Sequence, residues 1–189
     1  MMRAASLAIA AAAALLAGCS SQPAQSVATL RSEPTYQTAA DNAFLASGQD
    51  AIAKLTANLD PQLLAGGPVL VATVVNVNNL GTSAPLGRTL SEQYATQMAA
   101  RGFNVKEMKL RGDVYVREGT GELLLSREVR DIARNHRAVL VLVGTYSPAA
   151  GYTYVSLKLV RTEDSRIITG YDYALPNDRD VNRLLGNSR

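Results

Sequence analysis

The hydrophobic positions of this chain change period several times, and each change marks an element. Ala4 to Leu16 is apolar throughout apart from Ser6. From Ser20 to about Thr38 the chain is rich in Ser, Gln, Ala, Pro and Thr, has little to bury, and reads as a flexible tether. Helical spacing begins near Ala39. Phe44 or Leu45, Ile52, Leu55 and Leu59 recur through Asp60, with Gly48 interrupting and Pro61 stopping the run. Pro68 to Asn76 is a continuous β-branched run, the pattern of a strand covered on both faces. Asn78, Asn79, Gly81, Thr82 and Ser83 follow as turn and capping residues. Pro85 then suits a first helical turn, and Leu86, Leu90, Tyr94 and Met98 mark one face of a second helix closed by Arg101-Gly102.

Phe103 to Leu110 alternates as a strand, Gly112 suggests a turn, and Asp113 to Val116 is a short second piece. After a loop from Arg117 to Gly121, the residues Leu124 or Leu125, Val129, Ile132 and Ala133 predict a third helix ending near His136. Ala138 to Val143 is a second buried strand. Tyr152 to Val160 and Arg166 to Leu175 alternate around the turn Thr162-Glu163-Asp164-Ser165 and predict an antiparallel hairpin. If the hairpin is symmetric about that turn, Val155, Leu157, Leu159, Ile168 and Ala174 share the core face, and Tyr152, Tyr154, Tyr171 and Tyr173 share the other. The tail from Asn177 to Arg189 has only Val181, Leu184 and Leu185 to bury and forms a short helix or no fixed structure. The fold class is therefore α/β: a single domain with a mixed β-sheet, about three packing helices and a C-terminal antiparallel hairpin.

The first segment is too short for a membrane span, which needs roughly 20 apolar residues, and it ends in polar Ser20-Ser21-Gln22. With Met1-Met2-Arg3 as a basic start and Leu16-Ala17-Gly18-Cys19 as its close, it reads as a lipoprotein signal peptide cut between Gly18 and Cys19. Small Ala17 and Gly18 open the backbone to a peptidase, and the thiol of Cys19 takes the lipid, palmitate among its acyl chains. This cysteine is the only one in the chain, so no internal disulfide exists and the mature protein keeps no free thiol. Several acyl chains bind a membrane nearly permanently where a single one binds reversibly. Ser20, where an aspartate would be the alternative sorting signal, points to the outer membrane. The organisation is then signal peptide 1–18, lipidated tether 19–38, domain 39–176 and polar tail 177–189.

Composition removes several function classes. The formal charge of +3 falls to +2 without Arg3, and the basic residues are scattered, so nothing suggests nucleic acid. The single histidine, His136, sits at a helix end, where bonding to the last carbonyls explains it better than catalysis. One His and a lipidated Cys cannot form a His/Cys metal cluster, and no cofactor motif appears. Glu163 with Asp164 and Asp178 with Asp180 fall in a turn and a polar tail, where solvation explains them; Arg127-Glu128 and Arg130-Asp131 read as a solvated helix face. Two binding features stand out. The loop holding Asn76, Asn78, Asn79 and Ser83 lies between a strand and a helix N-terminus, where free N–H groups hold anions or small ligands, although these are also ordinary turn and cap residues. The tyrosine face suits a protein partner, and the plainer reading is that the protein's own helices cover it. Gly119-Thr120-Gly121 reads as a plain loop.

Particular residues go beyond pattern. Val71 to Val75, Asn79-Leu80, Ser83 to Arg88, Glu92-Gln93, Arg101-Gly102-Phe103, Gly119 to Glu122, Leu125 to Arg130, Val143 to Tyr146 and Tyr171 to Pro176 resemble the FlgO domain over roughly Asn42 to Pro176. The resemblance implies a noncatalytic, outer-membrane-associated protein connected with flagellar assembly or motility. It implies envelope or flagellar proteins as partners beside the membrane lipid on Cys19, and it is compatible with a homo-oligomer. Neither the tether nor the tail carries a pattern of that family. A periplasmic ligand-binding or general envelope-assembly lipoprotein is the alternative.

Overall fold

A computed structural model of the chain describes residues 33–60, 62–63, 67–107, 115–117, 123–125 and 127–186. The signal segment, Gly18, Cys19, the tether up to residue 32, the glycine loop 119–121 and the last three residues lie outside the described residues. The described residues from Tyr36 onward form one compact unit. Its helices are α1 (Tyr36–Ala40), α2 (Ala43–Thr56), α3 (Pro85–Ala100), α4 (Arg127–Asn135) and α5 (Arg179–Leu184). Its strands are β1 (Val69–Val71), β2 (Val75–Asn76), β3 (Val105–Glu107), β4 (Tyr115–Arg117), β5 (Leu123–Leu125), β6 (Leu140–Pro148), β7 (Tyr152–Arg161) and β8 (Ile167–Pro176).

Strand order in the main sheet is β3-β1-β6-β7-β8, with β2 also pairing β6. β1 and β2 run parallel to β6, β3 runs parallel to β1, and β6, β7 and β8 are mutually antiparallel. This is the mixed α/β sheet with a C-terminal hairpin that the sequence pattern predicts.

Alternate residues of the strands feed two cores. Val69, Val71, Leu140, Leu142, Leu157, Leu159 and Leu175 meet Ile52 and Leu55 of α2, Leu86, Leu90, Tyr94 and Met98 of α3, and Val181 of α5. On the other face Leu70, Val141, Val143 and Val160 pack against Val129 and Ala133 of α4. Each fully buried Leu or Val stabilises the fold by about 1.5–3 kcal/mol relative to exposure, so the first and larger core carries most of the packing energy.

Local chemistry sets the helix limits. Asn42 caps α2 by accepting from the N–H groups of Phe44 and Leu45 at 2.9 and 3.2 Å. Phe44 packs against the core while Leu45 is 50% exposed, which decides between the two candidates. α1, in the region read as the end of the tether, buries none of its residues. In the tail, Asp178 caps α5 by accepting from the Asp180 and Val181 N–H groups, and the short helix is the form taken.

Four expectations change. The run 68–76 is broken in two, because the register against β6 slips by one residue between Val71↔Leu142 and Val75↔Thr145. At the break Val74 donates its N–H to Ser91 Oγ at 2.8 Å and accepts from Ser83 Oγ at 2.7 Å, so its backbone turns from the sheet to the start of α3. Leu123–Leu125 is a strand, pairing antiparallel with Tyr115–Arg117, and the third long helix starts only at Arg127. Three consecutive leucines satisfy either period, so the pattern could not separate them. The second buried strand begins at Leu140 and continues through Gly144 to Pro148, because β7 is long enough to pair with all of it.

The fourth change bears on function. Near the turn Val160 faces Ile167, as a symmetric hairpin requires, but Leu159 faces Thr169, leaving Ile168 as an extra residue in a β-bulge. Beyond the bulge β8 is out of phase with the symmetric register. Tyr171 lies opposite Leu157 and Tyr173 opposite Val155 on the helix-covered face, and Ala174 turns to the opposite face, where it is exposed. The four tyrosines therefore do not share a face. Ile168 itself keeps the expected side and packs against the helix-side core.

Candidate functional site

The bulge divides the tyrosines into two pairs with different surroundings. Tyr171 and Tyr173 stack at 6.4 Å between ring centroids under the helices. Lys54 of α2 lies 5.5 Å from the Tyr171 ring centroid and pairs with Asp50 at 2.8 Å, a bond that raises the lysine pKa. The Tyr173 hydroxyl shares a 2.5 Å hydrogen bond with the hydroxyl of Tyr94. Burial pushes the Tyr173 pKa up to about 12, against the opposing effect of the Tyr94 bond. Tyr94 is also raised well above its usual value, first by desolvation and then by the charge and hydrogen bond of Tyr173. These two tyrosines tie a helix to the sheet.

Tyr152 and Tyr154 stand on the opposite face and are 52% and 55% exposed. Here α4 covers only the end of the sheet carrying Val141, Val143 and Val160. Beyond it lies an open groove of about 560 Å³, lined among others by Thr145, Ser147, Tyr154, Ser156, Asp172 and Ala174, with Val77 from the following loop at its border. The groove is mostly apolar with hydroxyls and one carboxylate at intervals. An exposed aromatic body with a polar tip is the side-chain type enriched at protein interfaces.

The Asn76 to Ser83 loop next to this groove uses most of its polar groups on itself. Asn76 Oδ1 accepts from the Asn78 N–H at 2.9 Å, and the Asn76, Asn79 and Thr82 N–H groups bond to Thr82, Asn76 and Asn79 carbonyls. Ser83 Oγ is bound to Val74 O, and the N–H of Ala84, at the N-cap of α3, is taken by the Tyr146 hydroxyl at 2.9 Å. Gly87 fits only as glycine, since a Cβ would collide with the Val74 carbonyl oxygen and Ser83 Oγ. The loop is a tightly joined connection between strand and helix.

The remaining polar candidates are dispersed. His136 follows the last residue of α4 and is exposed. Asp164 is held by Arg161 in the hairpin turn, and that hydrogen bond lowers its pKa to about 2. Among the described residues no three His, Cys, Asp or Glu side chains are grouped to hold a metal ion. No described helix is long and apolar enough to cross a membrane.

The family model for the FlgO protein matches residues 49–180, from within α2 to within α5, more than half of the chain. This chain belongs to the FlgO protein family. The matched span holds the whole main sheet and both tyrosine pairs of this FlgO-family domain. No curated protein matches it in sequence. Among solved structures it is similar to the LpoB C-terminal domain from Escherichia coli, at 17% identity and a TM-score of 0.48, over 70% of this chain and 98% of that one. It is also similar to the PelC dodecamer from Paraburkholderia phytofirmans, at 13% identity and a TM-score of 0.42, over 64% and 81%. A third is lipoprotein GNA1162 from Neisseria meningitidis, at 10% identity and a TM-score of 0.39, over 59% and 82%.

Sequence reasoning missed the Tyr94–Tyr173 pair, because Tyr94 reads as one more apolar position on its helix. It also missed Val77, Thr145 and Ser147 at the groove. Thr145 and Ser147 lie past the point where apolar alternation ended the expected strand.

Proposed function

We propose that this protein is a lipid-anchored lipoprotein of the cell envelope that acts as a noncatalytic assembly component of the flagellum and is needed for motility. The observation that carries this reading is membership of the FlgO family over residues 49–180. The lipobox at Leu16-Ala17-Gly18-Cys19 supports it from the other end of the chain. Cys19 holds the acyl chains, Ser20 directs the protein to the outer membrane, and the tether lets the domain stand off the bilayer on the periplasmic side. The partner is an envelope or flagellar protein that docks on the open sheet face, with Tyr152 and Tyr154 as its aromatic contacts.

Deletion of the gene tests the role. The reading predicts loss of swimming, with missing or misassembled flagella under the electron microscope. A deletion strain that swims normally with normal flagella contradicts the flagellar role and leaves the anchoring to be judged by itself.

A further inference from the structure

β8 ends the sheet: β7 pairs with its inner edge, and no strand among the described residues pairs with its outer edge. Exposed edges are ordinarily guarded by lysines, prolines or short length. β8 has ten residues and one charge, Asp172, and its only proline is its last residue, Pro176. The bulge at Ile168 and Pro176 leave a regular stretch, Thr169 to Leu175, between them.

The hydrogen-bond pattern fixes which groups are free. Asn177 donates its N–H to Gly151 O at 2.9 Å, and in an antiparallel ladder the residues aimed at the neighbour alternate. Leu175, Tyr173 and Tyr171 therefore aim their N–H and C=O groups at β7, while Ala174, Asp172 and Gly170 aim theirs outward. The open face adds charges beside this edge. Lys158 pairs with Gly170 across β7 and β8, and its Cγ lies 3.9 Å from where a Cβ on Gly170 would stand. Neither Lys158 nor Asp172 forms an ion pair with a described residue.

We propose that β8 pairs antiparallel with β8 of a second copy of this chain, about a two-fold axis at Tyr171, joining two sheets edge to edge. Side chains alternate, so only registers that move the axis by whole residues keep like faces together. An axis at Asp172 sets two carboxylates opposite each other. An axis at Gly170 sets Asp172 opposite Ile168, where the bulge interrupts the ladder. With the axis at Tyr171, Gly170 faces Asp172 of the second copy, and these two residues exchange both backbone hydrogen bonds. Lys158, Gly170 and Asp172 of the second copy then form one row across three strands. The row spans about 10 Å between its outer backbones, within the combined reach of an extended lysine and an aspartate over a glycine. The symmetry repeats the row in the other half, and this self-complementarity selects a second copy over a foreign strand. The inference does not rest on the flagellar role.

Cysteine cross-linking of the full chain in detergent micelles tests it. Residues facing each other at a non-hydrogen-bonded site lie about 4.5 Å apart at Cα, within disulfide reach. Tyr171→Cys is expected to give a disulfide-linked dimer as the main oxidised product. The unsubstituted chain and Ser156→Cys, one strand inward on β7, are expected to give none beyond background. Asp172→Pro removes the outward N–H that bonds Gly170 of the second copy without touching the β7–β8 ladder, and added to Tyr171→Cys it is expected to cut the dimer at least tenfold with an unchanged far-UV circular dichroism spectrum. Asp172→Lys, which puts two cations in one row, is expected to reduce the dimer severalfold, and Lys158→Asp with Asp172→Lys to restore it. Absence of a Tyr171→Cys dimer in the folded protein, a dimer that persists undiminished with Asp172→Pro, or a charge exchange that fails to restore it overturns the proposal.

Discussion

The hydroxyls of Tyr94 and Tyr173 meet at 2.5 Å, joining the middle of α3 to the edge strand of the sheet. Each tyrosine is the buried hydrogen-bond partner of the other, so removing one hydroxyl strands the second in an apolar setting. Tyr94→Phe is expected to lower unfolding stability by about 1–3 kcal/mol, and Tyr94→Phe with Tyr173→Phe to cost less than the sum of the two single changes. Denaturant titration of the three variants checks this.

Both tyrosines also make stability depend on alkaline pH. Their folded pKa values lie above the ordinary value of 10, with Tyr173 at about 12, because burial disfavours the phenolate. The resulting stabilisation is complete below pH 10 and is lost as pH rises toward 12. A series of thermal melts should show the midpoint falling across that window, and Tyr94→Phe with Tyr173→Phe should flatten the fall. Asp164 acts at the other end: its pKa is depressed from 3.8 to about 2, so its contribution is present above the first value and is lost as pH falls toward the second. That ion pair is exposed to solvent, and screening keeps its effect small.

At the break between β1 and β2, Ser91 accepts the buried N–H of Val74 and donates to Gly87 O at 2.7 Å. Ser91→Ala leaves that N–H unpaired and is expected to cost about 1–3 kcal/mol. Gly87→Ala drives a methyl into the Val74 carbonyl and is expected to cost a similar amount through overpacking. Denaturation midpoints of the two variants measure both effects.

Much of this arrangement is legible in the sequence. The apolar periods of Ile52, Leu55, Leu86, Leu90 and Met98 identify the inward faces of α2 and α3, and all of these residues are buried. Alternation likewise places Val155, Leu157 and Leu159 in the core. What alternation cannot register is an inserted residue. Ile168 shifts the phase of β8 by one, which moves Tyr171 and Tyr173 under the helices while Tyr152 and Tyr154 stay exposed. The break at Ala72 to Val74 is hidden for a related reason, since a β-branched run looks the same whether its backbone bonds a strand or the serines of a helix start. Of the expected tyrosine surface, half stands on the open face, with Tyr154 at the groove, and half serves the fold.

That division gives a functional expectation. Tyr152→Ser with Tyr154→Ser removes two exposed rings that pack on no core, so stability should change by less than about 0.5 kcal/mol per site. Swimming of a strain carrying the double variant should nevertheless be impaired if the open face holds the partner. Soft-agar motility, with the protein level checked by immunoblot, measures this.

The proposed envelope role depends on Cys19 as the point of membrane attachment. Membrane fractionation of cells producing the Cys19→Ala variant tests it most directly. The wild-type protein is expected to sediment with the outer membrane and the variant to lose this outer-membrane association. A Cys19→Ala protein that fractionates with the outer membrane as the wild type does would contradict it.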